Sequence, residues 1–204
     1  MFTGIRKQFD QGVGCFTLPD NWMVLVDPAP FHNRPINYLE IGAHRGCNLI
    51  CVALTYARDP ESKLFAIDPW DDYNEYPEYK GYQSQIEASF HKNISLFENV
   101  KARVKAMKGY SHELVPTFPN EYFDIIYVDG NHQPEYVLED GVLSFRKLKT
   151  NGIMIFDDYN YCGLDVTKRG VDAFLTAYRD RIEYLGFYGG QIFLRKKQMP
   201  TPSE

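Results

Sequence analysis

Apolar positions along this chain follow two recurring patterns: short continuous runs, and longer stretches spaced at three and four residues. Short runs bounded by turn residues predict buried strands, and the three-and-four spacing predicts helices with one apolar face. Ile36 to Ile41 is the first run, ending at Gly42, and Lys63 to Asp68 is the second. Val100 to Met107, Tyr122 to Asp129 and Ile153 to Asp157 are the next three. Between them, Gly46 to Arg58 carries Leu49, Ile50, Ala53, Leu54 and Ala57 on one side. Tyr82 to Phe97 has helical spacing through Ile86, Phe90, Ile94 and Phe97. Ser111 to Val115 starts a short helix. Pro134 to Lys149 is a longer one, with proline in its first turn and Thr150-Asn151-Gly152 as its stop. Gly170 to Ile182 is the last predicted helix. Glu183 to Tyr188 and Gln191 to Arg195 flank Gly189-Gly190 as a closing hairpin.

Alternating strands and helices predict an α/β fold with a mostly parallel, doubly wound sheet, and the hairpin predicts an antiparallel last strand. The 204 residues suffice for one domain with a full core. We expect that domain over residues 1–197, with residues 1–35 as an N-terminal cap and 198–204 as a loose tail. Such sheets bind ligands at the carboxyl ends of their strands. The stretches to read for chemistry are therefore Glu40 to Gly46, Asp68 to Trp70, Gly109 to Ser111, Asp129 to His132 and Asp157 to Tyr159.

Charge narrows the partners. The net charge is −5 and the pI about 5.6, which gives no electrostatic footprint for nucleic acid or an anionic membrane. A small neutral or cationic ligand is the easier partner. Met1 to Gln11 is polar, with no apolar signal core, and no run approaches the ~18 apolar residues of a membrane span. The expected location is the cytoplasm, as a soluble protein. Cys15, Cys47, Cys51 and Cys162 match no disulfide framework and no zinc ribbon. Cys47 and Cys51 share a helix face and are expected to be buried thiols, as in a reducing compartment.

Two apolar strands stop in aspartate: F-D-I-I-Y-V-D-G-N-H (Phe123 to His132) and I-M-I-F-D-D-Y (Ile153 to Tyr159). Carboxylates are costly to bury alone. Asp129, Asp157 and Asp158 on two strands of one sheet point to a shared cation, and an all-carboxylate site suits hard Mg²⁺ or Mn²⁺. The plainer alternative is a turn aspartate before Gly130 and a turn or cap at Asp157-Asp158. His132 stands as a base beside that site or braces its loop. In Leu39 to Gly46, two glycines bracket a tight turn that lets a ligand approach the backbone. The third glycine of a pyrophosphate-binding turn is missing, and the charge of Glu40 suits an ammonium group better than a phosphate. Asp68 either takes both hydroxyls of a ribose or is a turn residue before Pro69. Trp70 to Tyr82, acidic and rich in tyrosine, is a lid over the site or a packed surface loop. Phe9, Phe16 and Trp22 cover the cofactor or only the sheet. Tyr159, Asn160 and Tyr161 follow the acidic pair and can shape an acceptor pocket.

E-I-G-A-H-R-G (Glu40 to Gly46) resembles motif I of class I S-adenosylmethionine-dependent methyltransferases, and A-I-D-P-W (Ala66 to Trp70) resembles the acidic strand end that follows it. Y-V-D-G-N-H-Q-P-E-Y-V-L-E-D and G-I-M-I-F-D-D-Y resemble the pattern of the macrocin- and mycinamicin-type Mg²⁺-dependent sugar O-methyltransferases. The resemblance runs from about Ile36 to Tyr159. It departs at Asn151-Gly152, where the family often has two glycines, and at Tyr136, one place later than usual.

The resemblance implies a Rossmann-like class I methyltransferase fold. It implies that S-adenosylmethionine is held by Glu40, Gly42, Ala43, His44, Gly46, Asp68, Tyr110, Ser111 and Asp129. Asp129, Asp157 and Asp158 would bind Mg²⁺ or Mn²⁺, with Asp129 and His132 catalytic and His132 the general base. Ser111 would bond the adenine or cap the next helix. The implied reaction is methylation of a sugar hydroxyl on a glycan or a natural-product deoxysugar. A catechol or phenol acceptor, a nucleotide-dependent oxidoreductase and a glycan-binding module are the rival readings. The expected partner is a small-molecule or glycan acceptor, with no nucleic acid and no membrane. Oligomeric state stays open, a homodimer included.

Overall fold

Seven strands form one sheet in this computed structural model, which describes residues 19–72, 79–160 and 165–198. They are β1 (Asn37–Ile41), β2 (Lys63–Asp68), β3 (Val104–Lys108), β4 (Phe123–Val128), β5 (Leu148–Phe156), β6 (Ile182–Tyr188) and β7 (Gln191–Lys196). Their order is β3-β2-β1-β4-β5-β7-β6. The first five run parallel, and β7 lies antiparallel between β5 and β6. The chain reverses its winding between β1 and β4, so the crevice for a ligand opens above the ends of those two strands.

Side chains alternate between the two faces of each strand. Tyr38, Ile125, Tyr127, Ile153 and Ile155 enter one apolar layer with helices α1 (Cys47–Thr55) and α2 (Gln83–Ser95). Leu39, Ile126, Val128, Met154 and Phe156 enter the other. That second layer is closed by α4 (Pro134–Lys147) and α5 (Val166–Tyr178), with the single turn α3 (Ser111–Leu114) before them. Both faces are covered, which is why β4 is buried along its whole length. Each fully buried Phe or Ile contributes about 1.5–3 kcal/mol relative to exposure. Among the described residues no helix is long and apolar enough to cross a membrane.

Four expectations change. Val100 does not open a strand: Glu98–Lys101 is a helical turn, and β3 starts at Val104. Arg103 fixes that boundary by donating to the carbonyls of Ala57 and Asp59. Thr150-Asn151-Gly152 is not a helix stop but a bulge inside β5, with Phe123 paired to Leu148 and Ile125 to Ile153. Asn151 takes φ +64° there, and a Cβ on Gly152 would lie 2.8 Å from the Leu148 side chain. The last helix lies earlier than predicted, because Arg181 turns its guanidinium over the Phe145 ring and Ile182 already begins β6. Finally, Cys51 is buried as expected, whereas Cys47 is disulfide-bonded.

Candidate active site

The turn after β1 is built by close approach. Gly42 has φ +85°, and a Cβ there would sit 1.8 Å from the carbonyl oxygen of Asp129. Gly46 has φ +74°, and its Cβ would sit 2.8 Å from the Phe90 ring. Only glycine lets this turn lie flat against β4 and α2.

Asp68 ties the first two turns together. Its carboxylate accepts the backbone N–H of His44 at 2.8 Å and of Trp70 at 2.7 Å. Trp70 Nε1 donates in return to the carbonyl of His44 at 3.0 Å. Burial pushes the Asp68 carboxyl up to about 6, against the two amide bonds that favour its charge. His44 is pushed down to about 4 by burial and by Arg45. Its Nε2 is buried without a hydrogen-bond partner among the described residues, and its ring lies 5.8 Å from Tyr79.

Glu40 points inward, beneath the turn. Its Oε2 accepts from the Tyr38 hydroxyl at 2.5 Å and from Asn48 Nδ2 at 2.9 Å. Burial pushes its carboxyl up to about 8 despite those two bonds.

The third turn adjoins the second, since the Gly109 N–H donates to the carbonyl of Asp68 at 3.1 Å. Tyr110 is exposed, stacks on His112 at 5.7 Å and reaches toward Asp71 at 3.5 Å. Tyr110, not Ser111, holds the N-cap position of α3 and makes no side-chain cap bond.

The acidic strand ends meet because β4 and β5 are neighbours in register, with Val128 opposite Phe156. Asp129 N–H donates to the carbonyl of Ile41, and Asp157 N–H to that of Val128. The two oxygens of Asp157 are engaged within the protein. One accepts from the Tyr127 hydroxyl, the other from the backbone N–H of Asp158 at 2.8 Å. Tyr127 accepts in turn from Gln191 Nε2 at 3.3 Å. Asp158 adopts φ +53° and directs its Oδ2 to 3.3 Å from His132 Nε2. Asp129 Oδ1 lies 3.7 Å from the same nitrogen. Ligating atoms of Asp129, His132 and Asp158 all fall within 4.8 Å of one another. Burial, then repulsion from Asp157, Asp158 and Glu40, pushes the Asp129 carboxyl well above the usual range. Burial and Asp158 push Asp157 up to about 6. A positive charge placed among these oxygens relieves that conflict.

A methyltransferase-domain family profile matches residues 39–159, the span holding all of these turns. The chain belongs to that family. Two curated relatives fit. An uncharacterized protein of Acanthamoeba polyphaga mimivirus is 28% identical over 134 residues, covering 63% of this chain and 54% of its own. O-methyltransferase hkm8 of Aspergillus hancockii is 23% identical over 129 residues, covering 63% and 45%. The chain thus spans about half the length of these relatives. Among solved structures, the O-methyltransferase TomG from Streptomyces achromogenes superposes with a TM-score of 0.67 at 16% identity, covering 95% of this chain and 86% of that one. The MycE methyltransferase of mycinamycin biosynthesis, solved with Mg, SAH and mycinamycin VI, gives 0.57 at 18% identity over 84% and 49%. The Rossmann-like methyltransferase fold is the one expected.

Within this methyltransferase domain, Gly42, Ala43, His44, Gly46 and Asp68 form one cluster and Asp129, His132 and Asp158 a second. Asp157 stands behind the second cluster. Tyr38 and Gln191 escaped sequence reading, whereas Tyr127 and Asp140 are the two ends of the Y-V-D-G-N-H-Q-P-E-Y-V-L-E-D motif, read without a role of their own. Trp22 packs under the sheet, its ring 5.2 Å from Tyr127 and 5.7 Å from Tyr56. Trp70, Asp71, Asp72, Gly81, Gln83 and Ser84 line a cleft of about 240 Å³ beside the second turn. Asp72 accepts the Gly81 N–H at 2.9 Å there, while residues 73–78 of the expected lid lie outside the described residues. So do Phe9, Phe16, Tyr161, Cys15, Cys162 and the tail from residue 199.

Proposed function

We propose that this chain is an S-adenosylmethionine-dependent O-methyltransferase assisted by Mg²⁺ or Mn²⁺ and acting on a sugar hydroxyl. The observation that carries the reading is the convergence of Asp129, His132 and Asp158 at the mouth of the crevice. The donor set fits a hard divalent cation: carboxylate oxygens with an imidazole beside them. A bound cation supplies positive charge that makes an acceptor hydroxyl easier to deprotonate.

The chain's own residues do the rest. The glycine turn and Asp68 hold the methyl donor, and Asp68 stands where a ribose diol can be gripped. His132 Nε2, beside the Asp129 and Asp158 carboxylates, takes the acceptor proton as the oxygen attacks the methyl carbon. The C–O bond forms as the C–S bond breaks, and the sulfonium charge disappears. Alignment of oxygen, carbon and sulfur therefore supplies much of the rate. The fungal O-methyltransferase hkm8 supports the choice of oxygen as acceptor. Tyr159 next to Asp158, with its ring 5.7 Å from Phe187, offers an aromatic wall that favours a second reading, a catechol or phenol acceptor.

Calorimetry with S-adenosylmethionine on wild type and Asp68→Ala, then an acceptor screen of glycosides against catechols with and without Mg²⁺, tests both. Micromolar binding that depends on Asp68 supports the donor. Absence of binding removes the methyltransferase reading, and methylation of catechols alone removes the sugar.

A further inference from the structure

Asp172 stands on α5, outside the donor turns and the acidic cluster, and its two carboxylate oxygens have separate partners. One accepts the Tyr159 hydroxyl at 2.7 Å. The other accepts Lys168 Nζ from one turn earlier on the same helix. The Lys168 ammonium also lies 5.3 Å from the centre of the Tyr159 ring. Tyr159 is thus held at both ends. Its backbone N–H donates to the carbonyl of Gly190, in the turn between β6 and β7, at 2.8 Å, and its hydroxyl is fixed on α5. Phe187 supports the ring from β6, with centroids 5.7 Å apart.

The side chains of Lys168 and Asp172 are 36% and 42% exposed, and an ion pair that open adds little to stability by itself. The bond to Tyr159 has a local effect instead, because Tyr159 directly follows Asp158. Asp158 has φ +53°, a left-handed conformation that a non-glycine residue keeps where its surroundings hold it. That conformation brings Asp158 Oδ2 to 3.3 Å from His132 Nε2. On the preceding side, the Asp157 carboxylate holds the Asp158 N–H at 2.8 Å. On the following side the anchor is Tyr159. With Tyr159 tied to the hairpin and to α5, the chain after Asp158 cannot relax to an extended path without breaking one of those bonds. Lys168 occupies the second oxygen of Asp172 and so keeps the first turned toward the phenol.

We propose that Asp172 is a positioning residue for the divalent cation, acting through Tyr159 to hold the Asp158 carboxylate at the acidic cluster. This rests on the proposed cation site of Asp129, His132 and Asp158.

The test is a double-mutant cycle on Mn²⁺ binding, read by calorimetry on the full chain, with Tyr159→Phe, Asp172→Ala and their combination. Tyr159→Phe keeps the ring beside Phe187 and removes only the hydroxyl. Each single change should weaken Mn²⁺ binding roughly three- to tenfold, in line with loss of one hydrogen bond. The double variant should be no weaker than the weaker single variant. Asp172→Asn keeps an acceptor oxygen for the phenol and should bind Mn²⁺ more tightly than Asp172→Ala. Melting temperatures should stay within about 4 °C of wild type, since the bonds removed are half-exposed. Unchanged Mn²⁺ affinity in the single variants, losses that add, or a loss of affinity that comes with a larger fall in melting temperature overturns the role of Asp172 and leaves the cation site standing. A wild-type protein that does not bind Mn²⁺ overturns both.

Discussion

The phenol of Tyr127 on β4 donates a hydrogen bond to the carboxylate of Asp157 at the end of β5. That bond leaves the other oxygen of Asp157 to hold the N–H of Asp158, whose left-handed backbone turns its own carboxylate toward His132. Asp157 is thereby a brace for Asp158 in this structure. Tyr127→Phe removes the brace at almost constant volume. We expect weaker Mn²⁺ binding with S-adenosylhomocysteine affinity unchanged, and a stability loss of about 1–3 kcal/mol from the unpaired carboxylate. Titration of Mn²⁺ followed by calorimetry, with denaturation on the same samples, decides it. Tighter Mn²⁺ binding would show that Tyr127 competes with the metal for Asp157.

Glu40 predicts a pH dependence. Its carboxyl stands at about 8 when folded, against an ordinary value of 4.5. Between those values the folded chain holds a proton that the unfolded chain has released. The associated stability is complete below about pH 4 and is lost as pH rises through about 8. The ligand-free protein should therefore lose about 2 kcal/mol from this group between pH 6 and 9, at roughly 2–4 °C of Tm for each kcal/mol. Glu40→Gln keeps the oxygen that Tyr38 and Asn48 donate to, and should flatten that decline. Parallel melting curves that differ by a constant offset at every pH would refute the assignment.

Gly42 admits no side chain. Gly42→Ala would press a methyl group into the Asp129 carbonyl and force a left-handed alanine. We expect a loss of roughly 3 kcal/mol or more and no measurable donor binding. Urea denaturation and calorimetry report the two effects separately. A variant with wild-type stability would mean the turn is looser than the packing implies.

His132 should separate binding from chemistry. His132→Gln should leave S-adenosylhomocysteine affinity within about twofold and lower methyl transfer by about 10²–10⁴, the usual contribution of a general base. Chelation of divalent ions should have a comparable effect on transfer in wild type, reversed by Mn²⁺. A His132 variant with full turnover would return the residue to a loop-bracing role.

The strand ends were legible because an apolar run that stops in aspartate is a local pattern. Asp68, Asp129 and the Asp157-Asp158 pair all stand where that pattern puts them. The division of labour between Asp157 and Asp158 was not legible. It depends on a left-handed φ at Asp158 and on Gln191, which arrives from a strand far along the chain. Thr150-Asn151-Gly152 reads as a helix stop because its residues favour turns, yet the same residues also suit a bulge, and only pairing with β4 distinguishes the two. Ser111 reads equally as an adenine contact or a helix cap, and the structure gives the cap position to Tyr110, one residue earlier.

The position of β7 carries one more consequence. It lies between β5 and β6 although it follows both in sequence, and its first residue, Gln191, supports Tyr127. During synthesis every acidic residue of the crevice leaves the ribosome before the strand that steadies it. A nascent chain that ends at Tyr188 has the carboxylates but lacks the last link behind Asp157, so the crevice takes its working shape only after the final hairpin closes.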